Sequence, residues 1–314
     1  MMAEQTVLMT GATRGIGHVA ARRVLAESPQ SHLLVLARPG TPDVVRSFGA
    51  DPARVSVIDA DLASMGSMQA AAFHVAALVS DGVVPPIRVM ALNGGVQHTN
   101  ALTVTEDGFE STFAVNVLAN HVLIRLLGED AAPAAHTVVT VSDTHFGDLR
   151  HNLGMVPGPR WADPQTLVRP GAFPRPARAS AGRMAYSTSK LAGIYLVHAY
   201  SRHFAGDGTF HAYNPGFVPA TGLAREAAAP ARYVMRRIMP LLTLSPLATS
   251  AQRAGELLTD AMFAGNAAPN GAYIDRGRVV DSSPESYDIG RETELWDAVE
   301  SLTAPFLGPD SDRQ

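Results

Sequence analysis

Short apolar runs alternate with longer mixed segments along the first two thirds of the chain. Runs of this length, apolar throughout, are typical of strands that are buried on both faces of a parallel sheet. They predict strands at residues 6–9, 33–36, 55–58, 87–92, 137–141 and 210–213. Helices are predicted at 18–26, from about Ser64, at 106–127, and across 186–190 to about 203. This alternation predicts the α/β fold class: a doubly wound parallel sheet, three-layer αβα, in one domain spanning residues 1–314.

The first strand leads directly into a glycine-rich turn, Thr10-Gly11-Ala12-Thr13-Arg14-Gly15-Ile16-Gly17, and a helix follows. At such a strand-to-helix junction the backbone N–H groups and the positive end of the helix dipole face one point, which favours a bound phosphate. Glycines let the backbone approach the phosphate closely. The position of the turn at the start of the chain therefore predicts a Rossmann-type dinucleotide site.

The second strand ends in Ala37-Arg38, without the acid that usually binds the ribose hydroxyls of NAD. Arg38 can meet a 2′-phosphate instead, and Arg14 in the glycine turn is its candidate partner. NADP(H) is therefore predicted in preference to NAD(H). The alternative is that both arginines are simply solvated.

Two further strand ends carry candidate nucleotide contacts. Asp61 follows the third strand and could reach an adenine amino group, or it could cap the helix that starts near Ser64. The fourth strand ends in Asn93-Gly94-Gly95, whose small residues leave room for a nucleotide.

Tyr186 and Lys190 are four residues apart, so on a helix their side chains lie on one face. Lys190 is the only lysine among 25 basic residues, which indicates a position where the wide guanidinium group of arginine cannot serve. A neighbouring ammonium favours the phenolate and should lower the tyrosine pKa from about 10. The pair is typical of a phenol used in proton transfer. The alternative is a surface tyrosine beside a chance lysine.

Composition narrows the class of protein. The 314 residues are 46% hydrophobic and 17% charged, enough for a large core, and the net charge of −4 favours neither nucleic acid nor acidic membranes as a partner. No apolar run reaches the roughly 18 residues of a membrane span, and no signal peptide is recognised. The chain has no cysteine, and its histidines lack ligand spacing, so no metal site is predicted. These features predict a cytoplasmic protein whose partner is a small molecule.

Two segments interrupt the alternation. Residues 147–183 contain six prolines and form an insertion between Ser142 and Tyr186, so it should lie over the reaction centre. Residues 217–246 carry an apolar series that predicts either a lid over an apolar substrate or a plain packing helix. A flexible tail is expected from about residue 305 to 314.

Together these motifs resemble the short-chain dehydrogenase/reductase family. The matching motifs, in chain order, are Thr10-Gly11-xxx-Gly15-x-Gly17, Asp61-Leu62, Asn93-Gly94-Gly95, Asn116, Ser142, Tyr186-xxx-Lys190 and Pro215-Gly216. Within the family the chain most resembles the retinol dehydrogenase and protochlorophyllide reductase branch. The evidence is Arg38, the segments 105–110 and 214–223, and a predicted C-terminal helix at Asp288 to Leu302.

The resemblance implies a role for each motif. Tyr186 would be the general acid, Lys190 would hold the nicotinamide ribose, Ser142 would bind the substrate oxygen, and Asn116 would support a relay water. The cofactor-binding residues that it implies are Gly11, Thr13, Arg14, Gly15, Ile16, Gly17, Arg38, Asp61, Leu62, Asn93, Gly94, Gly95, Tyr186, Lys190, Pro215, Gly216 and Val218.

The chain departs from the family pattern after the fifth strand, where it reads Val141-Ser142-Asp143. Strict register puts Asp143 at the catalytic position, whereas a one-residue deletion puts Ser142 there; Ser142 is preferred because a hydroxyl can donate to a carbonyl and an ionised carboxylate cannot. The expected function is an NADPH-dependent ketoreductase, or secondary-alcohol dehydrogenase, for a mid-sized, largely apolar substrate. The alternatives are reduction of an activated C=C bond and an inactive NADP-binding sensor or scaffold. The oligomeric state is left open.

Overall fold

Eight strands form one sheet in the computed structural model, which describes residues 3–41, 44–128, 131–152, 154, 156–204, 207–219 and 248–308. The strands are β1 Gln5–Thr10, β2 Ser31–Ala37, β3 Val55–Asp59, β4 Ile87–Leu92, β5 Ala131–Thr140, β6 Thr209–Asn214, β7 Tyr273–Asp275 and β8 Arg278–Val280. All six predicted strands are present. The short strands β7 and β8 were not predicted.

The described part of the chain contains ten α-helices, of which the long ones cover the sheet. They are α1 Gly15–Glu27, α2 Val44–Phe48, α3 Met65–Ser80, α4 Ser111–Phe113, α5 Ala119–Leu127, α6 Leu149–Asn152, α7 Pro164–Leu167, α8 Ala179–His203, α9 Ala251–Phe263 and α10 Ile289–Leu307. A π-helical turn, Ala114–Leu118, joins α4 to α5. The helix predicted from residue 106 was wrong at its start, because Glu110 caps α4 by accepting a hydrogen bond from the N–H of Phe113 at 2.8 Å.

The sheet order, β3-β2-β1-β4-β5-β6-β7-β8, confirms the predicted doubly wound α/β fold. Every neighbouring pair is parallel except β7 and β8. Strand β1 lies between β2 and β4, so the chain changes direction across the sheet at this point. In sheets of this kind a crevice opens at the carboxyl ends of the strands where the order reverses, and ligands bind there.

Each face of the sheet has its own core, which explains the apolar runs. On one face Leu8 and Leu34 pack with residues of α3, α5 and α8. On the other face Val7, Met9 and Val35 pack with residues of α1 and α9. Successive strand residues point to opposite faces, so a strand covered on both sides must be apolar at every position.

The C-terminal helix α10 packs against α8, α5 and α3. The helix predicted from Asp288 is present, and Asp288 caps it by accepting from the N–H of Arg291 at 3.1 Å. It continues to Leu307, beyond the point where a flexible tail was expected to begin, and residues 309–314 lie outside the described residues. Most of the predicted lid, from 220 to 246, also lies outside them. None of the described helices is long and apolar enough to cross a membrane.

Candidate active site

The glycine turn between β1 and α1 forms an open cradle for an anion. Arg14 occupies the N-cap position of α1 without a side-chain cap, so the first N–H groups of the helix have no side-chain acceptor at this cap. A Cβ atom on Gly17 would lie 2.2 Å from the carbonyl oxygen of Gly11, so only glycine fits there. Gly15 has φ +58 and nothing lies within 4 Å of its Cβ position. The turn therefore fits the pyrophosphate of a dinucleotide.

Asn93 braces the crevice from the end of β4. Its Nδ2 donates to the carbonyl oxygen of Gly11 at 3.3 Å, and its Oδ1 accepts from the hydroxyl of Thr140 at 3.2 Å. The N–H of Gly94 donates to the Thr10 hydroxyl at 2.9 Å. Leu62 packs over this strand end, since a Cβ atom on Gly94 would lie 2.4 Å from Leu62 Cδ1. These contacts hold the ends of β1, β4 and β5 around one space.

The residues expected at the adenosine end lie on the same edge of the sheet. Arg38 follows β2, Arg14 precedes α1, and both are exposed. Asp61 follows β3, where its Oδ1 accepts from the N–H of Ala63 at 3.0 Å. The alternative in which Asp61 caps α3 is wrong, because the Ser64 hydroxyl accepts from the N–H of Ser67 at the cap.

Tyr186 and Lys190 lie in the first half of α8, and both side chains are buried at 7% and 5% exposure. The alternative of a surface tyrosine beside a chance lysine is therefore wrong. Lys190 Nζ lies 5.5 Å from the centroid of the Tyr186 ring and donates to the carbonyl oxygen of Thr140 at 2.8 Å. The ammonium group is thus held between α8 and the end of β5.

The expected lowering of the tyrosine pKa was wrong for this structure. Burial raises the pKa of Tyr186, and a hydrogen bond with the Ser142 side chain offsets only part of that effect. Burial also lowers the pKa of Lys190 to about 8, which weakens its influence as a cation. The sequence spacing identified the pair but could not give the desolvation of its two members.

Ser142 and Asp143 follow β5 at the centre of the site. The Ser142 side chain lies beside the Tyr186 phenol and favours its ionised form, which opposes part of the rise in its pKa. Its hydroxyl also donates to Asp143 Oδ1 at 3.4 Å and accepts from the N–H of Thr144 at 3.3 Å. The carbonyl oxygen of Ser142 accepts from His145 Nδ1 at 2.6 Å, which fixes the following turn. Ser142 is therefore the member of the pair that touches Tyr186.

Asn116 lies in the π-helical turn, and both ends of its carboxamide bond with protein groups. Its Oδ1 accepts from the N–H of Val96 at 2.9 Å, and its Nδ2 donates to Val96 O at 3.0 Å and to Ser189 Oγ at 2.9 Å. The Cβ position of Gly95 lies 3.2 Å from Asn116 Oδ1 and 3.5 Å from Lys190 Nζ. Asn116 therefore holds the strand end beside Lys190, and its role with a relay water stays a prediction.

The segment after β6 forms another wall of the site. Gly216, which follows Pro215, has φ +74, and its N–H donates to Asn214 Oδ1 at 3.0 Å. The Arg276 side chain lies over Gly216, since a Cβ atom there would lie 2.9 Å from Arg276 Cδ. Val218, the last expected cofactor contact, lies two residues further along the chain and is buried.

Sequence reasoning missed Arg276 and its neighbour Asp275, which enter the site from the turn between β7 and β8. Asp275 Oδ1 accepts from Asn214 Nδ2 at 2.9 Å, and Asp275 forms an ion pair with Arg276 at 2.9 Å. The signal available was Asp275-Arg276-Gly277, a short polar turn between two runs rich in apolar residues.

The proline-rich insertion packs against α8 just beyond Tyr186. The N–H of Arg160 donates to the Thr188 hydroxyl at 2.9 Å, and the Ser187 hydroxyl donates to Pro157 O at 2.7 Å. Trp161 packs edge-on against Tyr195 with the ring centroids 4.9 Å apart. The insertion therefore adjoins the helix that carries Tyr186, whereas its position over the reaction centre stays a prediction.

Comparison with known proteins identifies the family. Residues 5–144 match the family profile for short chain dehydrogenases. A Streptomyces sp. (strain C5) protein assigned as daunorubicin C-13 ketoreductase, DnrU, is 31% identical over 301 residues, covering 94% of this chain and 91% of that protein. The chain belongs to the short-chain dehydrogenase/reductase family. It is accordingly an NAD(P)-dependent oxidoreductase, as the sequence predicts.

Two other similarities refine this assignment. Protochlorophyllide reductase A of Arabidopsis thaliana is 25% identical over 327 residues, covering 94% of this chain and 76% of that protein, which confirms the predicted branch. The crystal structure of the angucycline C-6 ketoreductase LanV with bound NADP superposes with a TM-score of 0.60 at 18% identity. That match covers 88% of this chain and 95% of LanV, and it supports the fold.

Proposed function

We propose that this protein is an NADPH-dependent ketoreductase that acts on a mid-sized, largely apolar ketone. The observation that carries the proposal is the buried Tyr186 phenol, with Ser142 and Lys190 beside it. All three lie at the carboxyl edge of the sheet, where the glycine turn opens. A proton donor, a second hydroxyl and a cation at one point suit the reduction of a carbonyl group.

The residues at this edge fit NADP(H). The N-terminal amides of α1 would hold the pyrophosphate, and Arg14 and Arg38 would hold the 2′-phosphate. Lys190 would donate to the hydroxyls of the nicotinamide ribose. LanV, a family member of similar fold, binds NADP. When bound, the reduced cofactor supplies a hydride to the carbonyl carbon.

The chain itself supplies the proton and the orientation. The Tyr186 phenol donates its proton to the carbonyl oxygen as negative charge develops there. The Ser142 hydroxyl donates a second hydrogen bond to the same oxygen and keeps it beside Tyr186. The Lys190 ammonium, 5.5 Å from the phenol ring, stabilises the phenolate that remains.

The segment beyond Ser142 presents aromatic and apolar side chains next to the exposed Asp148 and Arg150. Phe146 stacks on His151 with the ring centroids 3.7 Å apart, and Leu149 in the same segment is 75% exposed. DnrU and LanV are both named as ketoreductases. An aromatic ketone is therefore the substrate class that these features favour most.

The test is turnover of a ketone panel with NADPH, followed at 340 nm, with aromatic and aliphatic ketones of matched size. We expect oxidation of NADPH, faster with the aromatic members. An α,β-unsaturated ketone should be included, because the relation to protochlorophyllide reductase favours C=C reduction as the second candidate. An allylic alcohol product supports the proposal, and a saturated ketone supports the second candidate. Tight NADPH binding with no turnover of any ketone in the panel would indicate the alternative function, an inactive NADP-binding sensor or scaffold.

A further inference from the structure

Asp143 carries a carboxyl group in direct contact with Ser142, and the reaction described above does not use it. Ser142 Oγ donates to Asp143 Oδ1 at 3.4 Å, and the Ser142 side chain also lies beside the Tyr186 phenol. The three groups are therefore neighbours in the order phenol, hydroxyl, carboxyl. Asp143 is thus one step removed from the substrate oxygen, with the Ser142 hydroxyl between them.

The backbone of Asp143 is tied to the end of β6. The N–H of Asp143 donates to Asn214 Oδ1 at 3.2 Å, and the same asparagine donates to Asp275 Oδ1 at 2.9 Å. Asn214 therefore links Asp143 to a second carboxylate at the end of β7. The titratable and charged groups that face Asp143 from the elements around it are Asp275, Arg276, His151, Tyr186 and Tyr273.

The direction in which these three groups donate depends on one proton. A serine hydroxyl has a single proton to donate. When Asp143 is ionised it can only accept, so the Ser142 proton points to Asp143 and the Tyr186 proton points to Ser142, away from a substrate. When Asp143 is protonated it donates to Ser142 Oγ, and both the Ser142 and Tyr186 protons are free for the carbonyl oxygen.

We propose that Asp143 is a positioning residue whose protonation turns the Ser142 and Tyr186 protons towards the substrate carbonyl. This inference rests on the proposed function. The proton on Asp143 is not consumed in the reaction, because Tyr186 delivers the proton that the product keeps. Carbonyl reduction therefore requires the acid form of Asp143.

The surroundings of Asp143 favour that acid form. Burial raises the pKa of Asp143 to about 6, the negative charge of Asp275 adds to the rise, and the hydrogen bond from Ser142 with the charges of Arg276 and His151 offsets part of it. Because the group is an acid, it is protonated below this pH and ionised above it. The active orientation should thus be lost as the pH rises through about 6.

The first test is the pH profile of kcat/KM for reduction of the best ketone. For the wild type, kcat/KM should fall about tenfold per pH unit above the midpoint, which is the slope for loss of one proton. Asp143→Asn carries a permanent amide donor, so this limb should disappear. Asp275→Asn removes the neighbouring negative charge and should move the limb to lower pH. Asp81→Asn, an exposed aspartate at the C-terminal end of α3, is the control and should keep the wild-type profile.

The second test does not depend on turnover. The infrared difference spectrum between the wild type and Asp143→Asn should contain a protonated carboxylic acid band at pH 5 that disappears with a midpoint near pH 6. A carboxylate that stays ionised at pH 5, or an Asp143→Asn profile with the wild-type limb, would overturn the inference. If no ketone is reduced at any pH, the proposed function fails, and the infrared titration alone decides whether Asp143 holds the proton.

Discussion

Two buried polar clusters on α8 look alike by charge and burial, but only one has the surroundings of an active site. The first contains Tyr186, beside Ser142 and Lys190. The second contains Tyr200, whose hydroxyl lies 2.9 Å from His121 Nδ1. Burial raises the pKa of both tyrosines.

The second cluster is closed in between α5, α8, α10 and strand β6. His121 and Arg125 of α5 both contact Glu300 of α10, at 3.4 and 2.9 Å. Trp296 of α10 packs edge-on against Tyr200 with the ring centroids 5.1 Å apart. Fourteen residues of helix separate Tyr200 from Tyr186, which is about 21 Å along the axis, so this cluster lies far from the glycine turn. It ties the C-terminal helix to α5 and α8.

The comparison teaches that a shifted pKa does not by itself identify a catalytic residue. Structural networks shift pKa values as strongly as active sites do. What distinguishes Tyr186 is its place at the carboxyl edge of the sheet, beside a glycine turn with open amide donors. The three predictions below test that distinction.

The largest expected effect is that of removing one phenolic hydroxyl. Tyr186→Phe removes the proton donor and should lower kcat by about 10³-fold, while the affinity for NADPH changes little. The matched change, Tyr200→Phe, should leave kcat as it is and reduce the free energy of unfolding by about 1 kcal/mol, the usual loss for one hydrogen bond. Steady-state kinetics and urea unfolding of both variants check this. Equal losses of kcat in the two variants would erase the distinction between the clusters.

The cofactor side of the same edge gives the next effect. Arg38→Ala removes a charge-assisted contact with the 2′-phosphate and should raise the Kd for NADPH by about 10- to 100-fold. The Kd for NADH, which lacks that phosphate, should change little. Arg278→Ala, an exposed arginine on β8, is the control and should leave both affinities unchanged. Fluorescence titration measures both cofactors; equal weakening of NADPH and NADH by Arg38→Ala would contradict NADP selectivity.

The smallest effect concerns the closed cluster and appears in stability. Burial lowers the pKa of His121 to about 3, helped by the charge of Arg125. As the pH falls, His121 therefore binds a proton in the unfolded chain before it does so in the folded protein. The stability that neutral His121 contributes is present above about pH 6.5 and is lost as the pH falls. His121→Gln should remove about 1 to 2 kcal/mol of the difference in unfolding free energy between pH 7 and pH 5. Urea unfolding at the two pH values measures it, and an unchanged difference would show that His121 does not stay neutral in the fold.

The parts of the site that depend on local sequence could be predicted. The glycine turn follows β1 directly, and Tyr186 and Lys190 are one helical turn apart, so neighbouring residues carry the signal. The strands could be predicted because both faces of the sheet are covered and each strand is therefore apolar throughout.

The rest depends on contacts between distant positions. Asn214 bonds with Asp143, 71 residues away, and with Asp275, 61 residues away, and no local pattern reports such pairs. The predicted lowering of the Tyr186 pKa was wrong for the same reason, since the burial that raises this pKa is produced by tertiary packing. The predicted helix start at residue 106 was wrong because the carboxylate of Glu110 caps α4. The surrounding fold, and not the local sequence, determines which residue serves as the cap.

If this edge is the active site, Tyr186, Ser142 and Lys190 must meet the reactive end of the cofactor. A crystal structure of the protein with NADP⁺ tests this most directly. It should show the pyrophosphate at the N-terminus of α1, the ribose hydroxyls within hydrogen-bond distance of Lys190 Nζ, and the nicotinamide ring beside Tyr186. A nicotinamide ring bound away from Tyr186, or a dinucleotide that does not touch the glycine turn, would contradict the assignment of this edge as the active site.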